Sequence, residues 1–186
     1  MIHARSCGWR VQPAKDRCKR LPALLSRGFT LIELLVTISL VAILMGLAAP
    51  SLTEAALGSK LAGNANRLAT SATLARSEAI KRNIAITLCI STNGTSCTTT
   101  GGWEQGWIVL SGTTLLRYEQ AAPTGFKITE SANVKSLSFL ATGVGSTPAN
   151  FTVCQALPSA GSQERVVDVN VTGRTFMKKT TTGVCA

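Results

Sequence analysis

The stretch Arg27-Gly28-Phe29-Thr30-Leu31-Ile32-Glu33 joins a basic segment to an apolar run that continues to Ala49. From Phe29 to Ala49 the chain has 21 residues, and Glu33 is the only one with a charged side chain. As a helix rising about 1.5 Å per residue, this run is roughly 31 Å long, which matches a bilayer core. A carboxylate inside a membrane helix costs about 2.5–3.5 kcal/mol, so we expect Glu33 to have a cationic partner or a function. The sequence thus predicts a transmembrane helix over residues 29–49.

The distribution of charge orients this helix. The chain of 186 residues has a formal net charge of +10. Residues 1–28 contain seven basic residues and one acid, a net charge of +6, which leaves +4 for the remainder. Because basic flanking segments stay in the cytoplasm, we expect a cytoplasmic N-terminus and a C-terminal domain on the opposite side of the membrane. The overall charge suggests nucleic-acid binding, but its concentration before the span weakens that interpretation.

Residues 1–28 are polar and basic, and they show neither helical nor strand periodicity. We interpret them as a cleaved leader that takes no part in the fold. The alternative is a conventional secretory signal with Gly46-Leu47-Ala48 as the small residues of its cleavage site. Against it, the apolar run is longer than the usual signal core of about 7–15 residues, and it contains a charge.

The cysteines divide at the predicted span. Cys7 and Cys18 precede it and are expected to stay reduced, whereas four others follow it, where disulfides persist. Four cysteines allow three pairings. We favour Cys89–Cys97, which closes a short turn, and by elimination Cys154–Cys185.

The inventory of side chains argues against an enzyme. The single histidine is His3, in the leader, so Ser-His-Asp and Cys-His mechanisms have no base in the mature chain. No P-loop, Rossmann glycine pattern or clustered acid pair is present. The spacing of Cys89 and Cys97 does not fit a zinc site. No cofactor and no metal is predicted, and a membrane-anchored enzyme is a poor hypothesis.

The helical pattern continues beyond Pro50, where the missing backbone N–H predicts a kink or local melting. Steps of three and four residues then form one apolar stripe: Leu57, Leu61, Ala65, Leu68, Ala72, Ala75 and Ala79. We therefore expect a helix from Phe29 to about Arg82, with residues 50–82 as an amphipathic continuation lying on a soluble domain.

Residues 83–186 are predicted to form a β-rich domain. Apolar and β-branched runs at roughly ten-residue spacing indicate antiparallel strands: Ile84–Ser91, Gly106–Ser111, Leu115–Glu119, Phe126–Thr129, Val134–Leu140, Phe151–Ala156, Val166–Val171 and Thr175–Lys178. Asn93-Gly94 carries a hairpin signal. Trp103 and Trp107 are expected in the core or at its rim. The predicted fold is α+β, with a long N-terminal helix packed on an antiparallel sheet.

The residues from Gly28 to Glu33, with the apolar run after them, closely resemble the signature of type IV pilins and type II secretion pseudopilins. Leu88-Cys89 to Cys97, the stretch Trp103-Glu-Gln-Gly106-Trp107-Ile-Val-Leu and the segment from Arg165 to Arg174 resemble the GspH/FimT group of minor pilins and pseudopilins. The resemblance covers nearly everything after Gly28, although many pilin leaders are shorter.

This resemblance implies that a prepilin peptidase cuts after Gly28 and methylates the new N-terminal Phe29. Glu33, then the fifth residue, would pair in lipid with the cationic amine of a neighbouring subunit, which neutralises two buried charges. The implied protein is a single-pass bacterial inner-membrane subunit that primes or caps a type IV pilus or a type II secretion pseudopilus. Its implied partners are other pilins or pseudopilins and the inner-membrane assembly platform.

The second hypothesis is DNA capture for natural transformation, which some FimT-like proteins perform. Those proteins carry a C-terminal Gly-Arg-x-Arg motif, and here the matching stretch, Gly173-Arg174-Thr175-Phe176, lacks the second arginine. Arg174, Lys178 and Lys179 are the candidate phosphate contacts.

Overall fold

The computed structural model describes residues 28–145, 147–158, 160–181 and Cys185, and for residues 47–50 it describes the backbone alone. All of the predicted leader except Gly28 lies outside the described residues, and so do Cys7, Cys18 and His3. The chain forms two compact units that divide between Leu44 and Met45.

The first element is helix α1, Leu31–Arg82, which has 52 residues. At its start, the side-chain oxygen of Thr30 accepts a hydrogen bond from the backbone N–H of Glu33 at 3.2 Å, as an N-cap residue does. At its end, Asn83 has φ 55°, the left-handed conformation in which helices commonly terminate. The predicted helix end at about Arg82 is confirmed.

By length and composition, no single helix of the described residues is long and apolar enough to cross a membrane. The segments Leu31–Gly46 and Ser51–Arg82 qualify only when they are taken together as a bent pair. The break between them comprises residues 47–50, a stretch that includes Pro50, where the sequence predicts a kink. The transmembrane helix over residues 29–49 stays a prediction.

The part of the chain that the structure describes has eight strands after the helix, arranged in two four-stranded antiparallel sheets. Sheet A has the order β3-β2-β1-β5, and sheet B has the order β4-β6-β7-β8. The strands are β1 Ile86–Ile90, β2 Gly106–Ser111, β3 Thr114–Gln120, β4 Phe126–Glu130, β5 Ser136–Phe139, β6 Ala149–Gln155, β7 Glu164–Val169 and β8 Thr175–Thr180. Each predicted strand region overlaps one of them, with ends that differ by up to two residues for most strands.

The division into two sheets differs from the single sheet that the sequence suggests. β5 returns to pair with β1, with Leu137 opposite Leu88, whereas β4 pairs with β6, with Ile128 opposite Val153. Alternation of apolar residues indicates which face of a strand is buried, but it does not identify the neighbouring strand. The fold class, a long helix with antiparallel β-structure, is confirmed.

The hairpin predicted at Asn93-Gly94 is wrong, because this stretch lies in the long connection between β1 and β2. The side-chain oxygen of Asn93 accepts hydrogen bonds from the backbone N–H groups of Thr95 at 2.9 Å and Ser96 at 3.0 Å. Asparagine thereby satisfies backbone donors that a paired strand would otherwise use. The partner of β1 is the later strand β2, with Ile90 opposite Trp107.

A single hydrophobic cluster joins α1 to both sheets. The predicted helix stripe is confirmed: Leu61, Ala65, Leu68, Ala72, Ala75 and Ala79 are fully buried, and Leu57 is half-buried. Trp103 and Trp107 are also buried, as expected, and the ring of Trp103 meets that of Phe151 edge-on with 4.9 Å between centroids. The small alanines of the stripe put little side-chain volume between this part of α1 and the strands of the same cluster.

Candidate assembly site

The predicted cleavage site lies just before α1. Gly28, Phe29 and Thr30 precede the helix and are all exposed, with the Phe29 residue 77% exposed. Among the described residues other than its chain neighbours, none lies within 4 Å of the position that a Cβ would take at Gly28. Both residues that flank the predicted scissile bond are therefore accessible.

Glu33 lies in the first turn of α1 and is exposed. The unpaired backbone N–H groups of a helix start carry partial positive charge, which favours a carboxylate at this position. Together with the cap formed by Thr30, the stretch Thr30-Leu31-Ile32-Glu33 has the Thr-x-x-Glu pattern of a capping box. The sequence itself contains this pattern, but it was not among the features predicted above. Glu33 thus has a local role at the helix start beside its predicted role between subunits.

The first part of α1 has no covered face. Every residue of the segment Leu31–Gly46 is exposed, and its large apolar residues are 47–81% exposed. The hydroxyl groups of Thr37 and Ser39 donate to backbone carbonyls within the helix, each at 2.8 Å. Apolar surface of this kind is stabilised by about 25 cal/mol for each Å² that leaves water. The segment therefore suits an apolar environment outside the chain, such as lipid or the helices of other subunits.

The second part of α1 is fastened to sheet A by polar contacts. Trp107 donates from Nε1 to Oγ of Ser71 at 2.9 Å, and the Arg67 guanidinium lies 5.4 Å from the Trp107 ring centroid. Arg67 also donates from Nε to Oε2 of Glu119 at 2.8 Å, and Arg117 donates to Oε1 at 2.6 Å. Burial raises the pKa of Glu119, but the hydrogen bonds from Arg67 and Arg117 outweigh it and hold that pKa below its usual value.

Two disulfides close the β-domain, in the pairing that the sequence analysis favours. Cys89 and Cys97 are joined by an S–S bond of 1.95 Å across 8 positions of sequence. Cys154 and Cys185 are joined by one of 2.00 Å across 31 positions. The first bond ties β1 to its following loop, and the second ties β6 to the C-terminal end. Among the described residues, no group of three or more His, Cys, Asp or Glu side chains could hold a metal ion.

The residues proposed for DNA contact do not share one face. Lys178 and Lys179 are neighbours on β8, so their side chains point to opposite faces of sheet B. Lys178 also pairs with Asp168, with Nζ 3.3 Å from Oδ2. Arg174 lies exposed in the turn before β8. The predicted strand Thr175–Lys178 ends one residue before Lys179, whereas β8 continues to Thr180 and so places both lysines on one strand.

Residues 64–173 match the family model described as Type II transport protein GspH, which is more than half of the chain. The chain belongs to the GspH family. Residues 25–49 of this GspH-family protein also match the model described as Prokaryotic N-terminal methylation motif. The second match covers the predicted cleavage site, Glu33 and the exposed apolar segment.

Solved structures share the fold. The type IV minor pilin FimU of Pseudomonas aeruginosa, in one crystal form, is 23% identical with a TM-score of 0.53, over 64% of this chain and 89% of that one. A second crystal form of FimU is also 23% identical, with a TM-score of 0.51, over 63% and 92% of the two chains. The minor pseudopilin EpsH of Vibrio cholerae is 13% identical with a TM-score of 0.46, over 64% and 96%. Among curated proteins, none matches the chain significantly.

The GspH-family protein thus combines the domain of a type II transport protein with an N-terminal methylation motif, and it shares the fold of a type IV minor pilin. Members of this family are structural subunits that assemble with other pilins or pseudopilins, and they are not enzymes. The combination of the methylation motif and the N-terminal helix indicates a membrane-anchored pilin. The alternative function in DNA capture is not favoured.

Proposed function

We propose that this protein is a minor pilin or pseudopilin that primes or caps a type IV pilus or a type II secretion pseudopilus. Residues 1–28 are its leader, residues 29–49 its membrane anchor and residues 50–82 the amphipathic helix that carries the β-rich domain of residues 83–186. The C-terminal domain lies in the periplasm until the subunit is extracted into the filament. The observation that carries the proposal is the exposed, predominantly apolar helix segment Leu31–Gly46, which has one acid, Glu33, in its first turn.

Processing creates the joint between subunits. A prepilin peptidase cuts between Gly28 and Phe29 and methylates the new amine, which remains cationic. The amine of one subunit then neutralises Glu33 of its neighbour in lipid, where either charge alone is costly. Subunits stack in a defined axial register because only that register pairs the two charges. The partners that this mechanism requires are the prepilin peptidase, other pilins or pseudopilins and the inner-membrane assembly platform.

The decisive experiment separates this charge pairing from helix capping. Glu33→Gln keeps a residue type that suits the capping-box pattern but removes the charge, and Glu33→Leu removes both. We expect both variants to insert into the membrane normally and to enter filaments at least tenfold less than the wild type, since an unpaired charge in lipid costs about 2.5–3.5 kcal/mol. The matched control is Glu54→Gln, an exposed acid on the same helix beyond the apolar segment.

The readouts are the amount of each variant in sheared filaments and the mass of its N-terminal peptide. A mature chain that begins with methylated Phe29 supports the processing step, whereas one that begins near Ala49 contradicts it. Wild-type incorporation of Glu33→Gln, with failure of Glu33→Leu, would assign Glu33 to capping alone. Wild-type incorporation of Glu33→Leu would refute the joint altogether.

A further inference from the structure

A polar groove lies within the second compact unit, between α1 and the strands β7 and β8 of sheet B. Its volume is about 550 Å³, and α1 contributes residues from Ser51 to Ala62 to one wall. The other wall contains Gln163, Arg165 and Lys179. Neither the assembly mechanism nor the hydrophobic core accounts for these two cations.

Arg165 and Lys179 are directly opposite each other in the β7–β8 register. Like charges at opposed positions of neighbouring strands are destabilising. In the ion pairs formed by the described residues, neither cation is joined to an acid, and Glu54 is the only acidic side chain that lines the same groove. An anion bound between the two cations would relieve their repulsion.

A buried side chain positions Arg165. Gln163, which is 7% exposed, donates from Nε2 to the backbone oxygen of Glu54 at 2.9 Å and accepts from Nη1 of Arg165 at 3.3 Å. Gly58 leaves the room for it, because a Cβ there would lie 3.1 Å from Oε1 of Gln163. Nη1 also donates to the backbone oxygen of Glu164 at 3.0 Å. The hydrogen bonds among the described residues use only Nη1 of this guanidinium, so Nε and Nη2 remain for a ligand.

The first residue that lines the groove follows the predicted membrane anchor closely in sequence. Ser51 lies a few residues after Gly46, the last residue of the exposed apolar segment. At no more than about 3.5 Å per residue, this connection reaches roughly 18 Å. A connection of this length allows the groove to come to the bilayer surface, where each basic side chain contributes measurably to attraction by anionic headgroups.

We propose that Arg165 and Lys179 bind the phosphate of an anionic phospholipid at the surface of the membrane that anchors the chain. The planar guanidinium supplies paired donors to phosphate oxygens, and the ammonium supplies a second, mobile charge. This inference rests on the membrane anchoring in the proposed function, but it does not require a filament.

The test uses the full-length chain in detergent micelles, to which phosphatidylglycerol or phosphatidylcholine with identical acyl chains is added. Native mass spectrometry counts the lipids retained by each protein molecule. We expect the wild type to prefer phosphatidylglycerol, and Lys179→Gln to reduce that preference about fivefold, the effect of one basic residue near an anionic surface. Arg165→Gln/Lys179→Gln should abolish the preference, whereas Lys179→Arg should retain it.

The control variant, Lys81→Gln/Arg174→Gln, also removes two positive charges, but from exposed positions that do not line the groove. An unchanged preference in Arg165→Gln/Lys179→Gln, or an equal loss in the control, overturns the proposal. So does displacement of phosphatidylglycerol by millimolar inorganic phosphate, which would indicate a site for free anions. Carbonate extraction of membranes reports on anchoring separately, so failure of the lipid site and failure of the anchor are distinguishable.

Discussion

Glu119→Gln should weaken the attachment of α1 to sheet A. The carboxylate is 11% exposed and bridges Arg67 of the helix and Arg117 of the same strand. Gln keeps the shape and one acceptor but leaves the two guanidinium groups close together without a negative charge between them. A hydrogen bond to a charged group contributes roughly 1.5–3 kcal/mol, and solvent screens the outer sides of both arginines. We therefore expect a loss of about 2 kcal/mol in the free energy of unfolding.

The assay is urea unfolding of residues 51–186 at a series of pH values. The folded pKa of Glu119 is lowered, so its stabilising effect is fully present above the ordinary glutamate pKa of about 4.3 and is lost as the pH falls through the folded value. The difference between the wild type and Glu119→Gln should be constant near neutral pH and should shrink below about pH 4.3. The variant itself lacks this part of the acid sensitivity.

The matched control is Glu78→Gln. Glu78 also contacts two cations, Arg82 at 2.5 Å and Lys81 at 3.7 Å, but all three residues belong to one helix. Its removal breaks no link between elements, so the change should be much smaller than that of Glu119→Gln. Equal losses for the two variants, or a Glu119→Gln effect that does not depend on pH, would refute the reasoning.

Two further predictions concern the same unit. Ser71→Ala leaves Nε1 of the buried Trp107 without its hydrogen-bond partner and should lower the free energy of unfolding in urea by about 1–3 kcal/mol. The control Ser77→Ala removes an exposed hydroxyl that bonds within the helix and should have little effect. Similar losses in the two variants would contradict this prediction. Replacing both cysteines of one disulfide by serine should cost about 3.7 kcal/mol for Cys154–Cys185 and about 2.5 kcal/mol for Cys89–Cys97, because the longer loop constrains the unfolded chain more. A reversed order of midpoints in thermal or urea unfolding would contradict the loop-length argument.

The candidate joint between subunits could be identified without the fold. The apolar run and Glu33 are contiguous in sequence, and their meaning depends on hydrophobicity, charge and the length of a helix. The capping role of Thr30 is equally local, because it depends on a Thr-x-x-Glu pattern of four consecutive residues.

The sequence by itself determined the elements of this protein. It indicated the helix end near Arg82, the buried stripe from Leu61 to Ala79 and regions that overlap all eight strands, because periodicity and β-branching act over neighbouring residues. Only the tertiary structure decided which strands are neighbours. Pairing of β5 with β1 and of β4 with β6 depends on the closure of long loops, to which local patterns are insensitive.

The remaining sites also depend on contacts between residues that are far apart in sequence. Arg67 and Glu119 are 52 positions apart in sequence, and Gln163 and Glu54 are 109 positions apart, so no local pattern of residues predicts either contact. Arg165 and Lys179 become a pair only when β7 and β8 lie side by side in their observed register. The anchor and its acid are properties of one continuous segment, whereas the groove proposed to bind lipid exists only because three distant segments fold against one another.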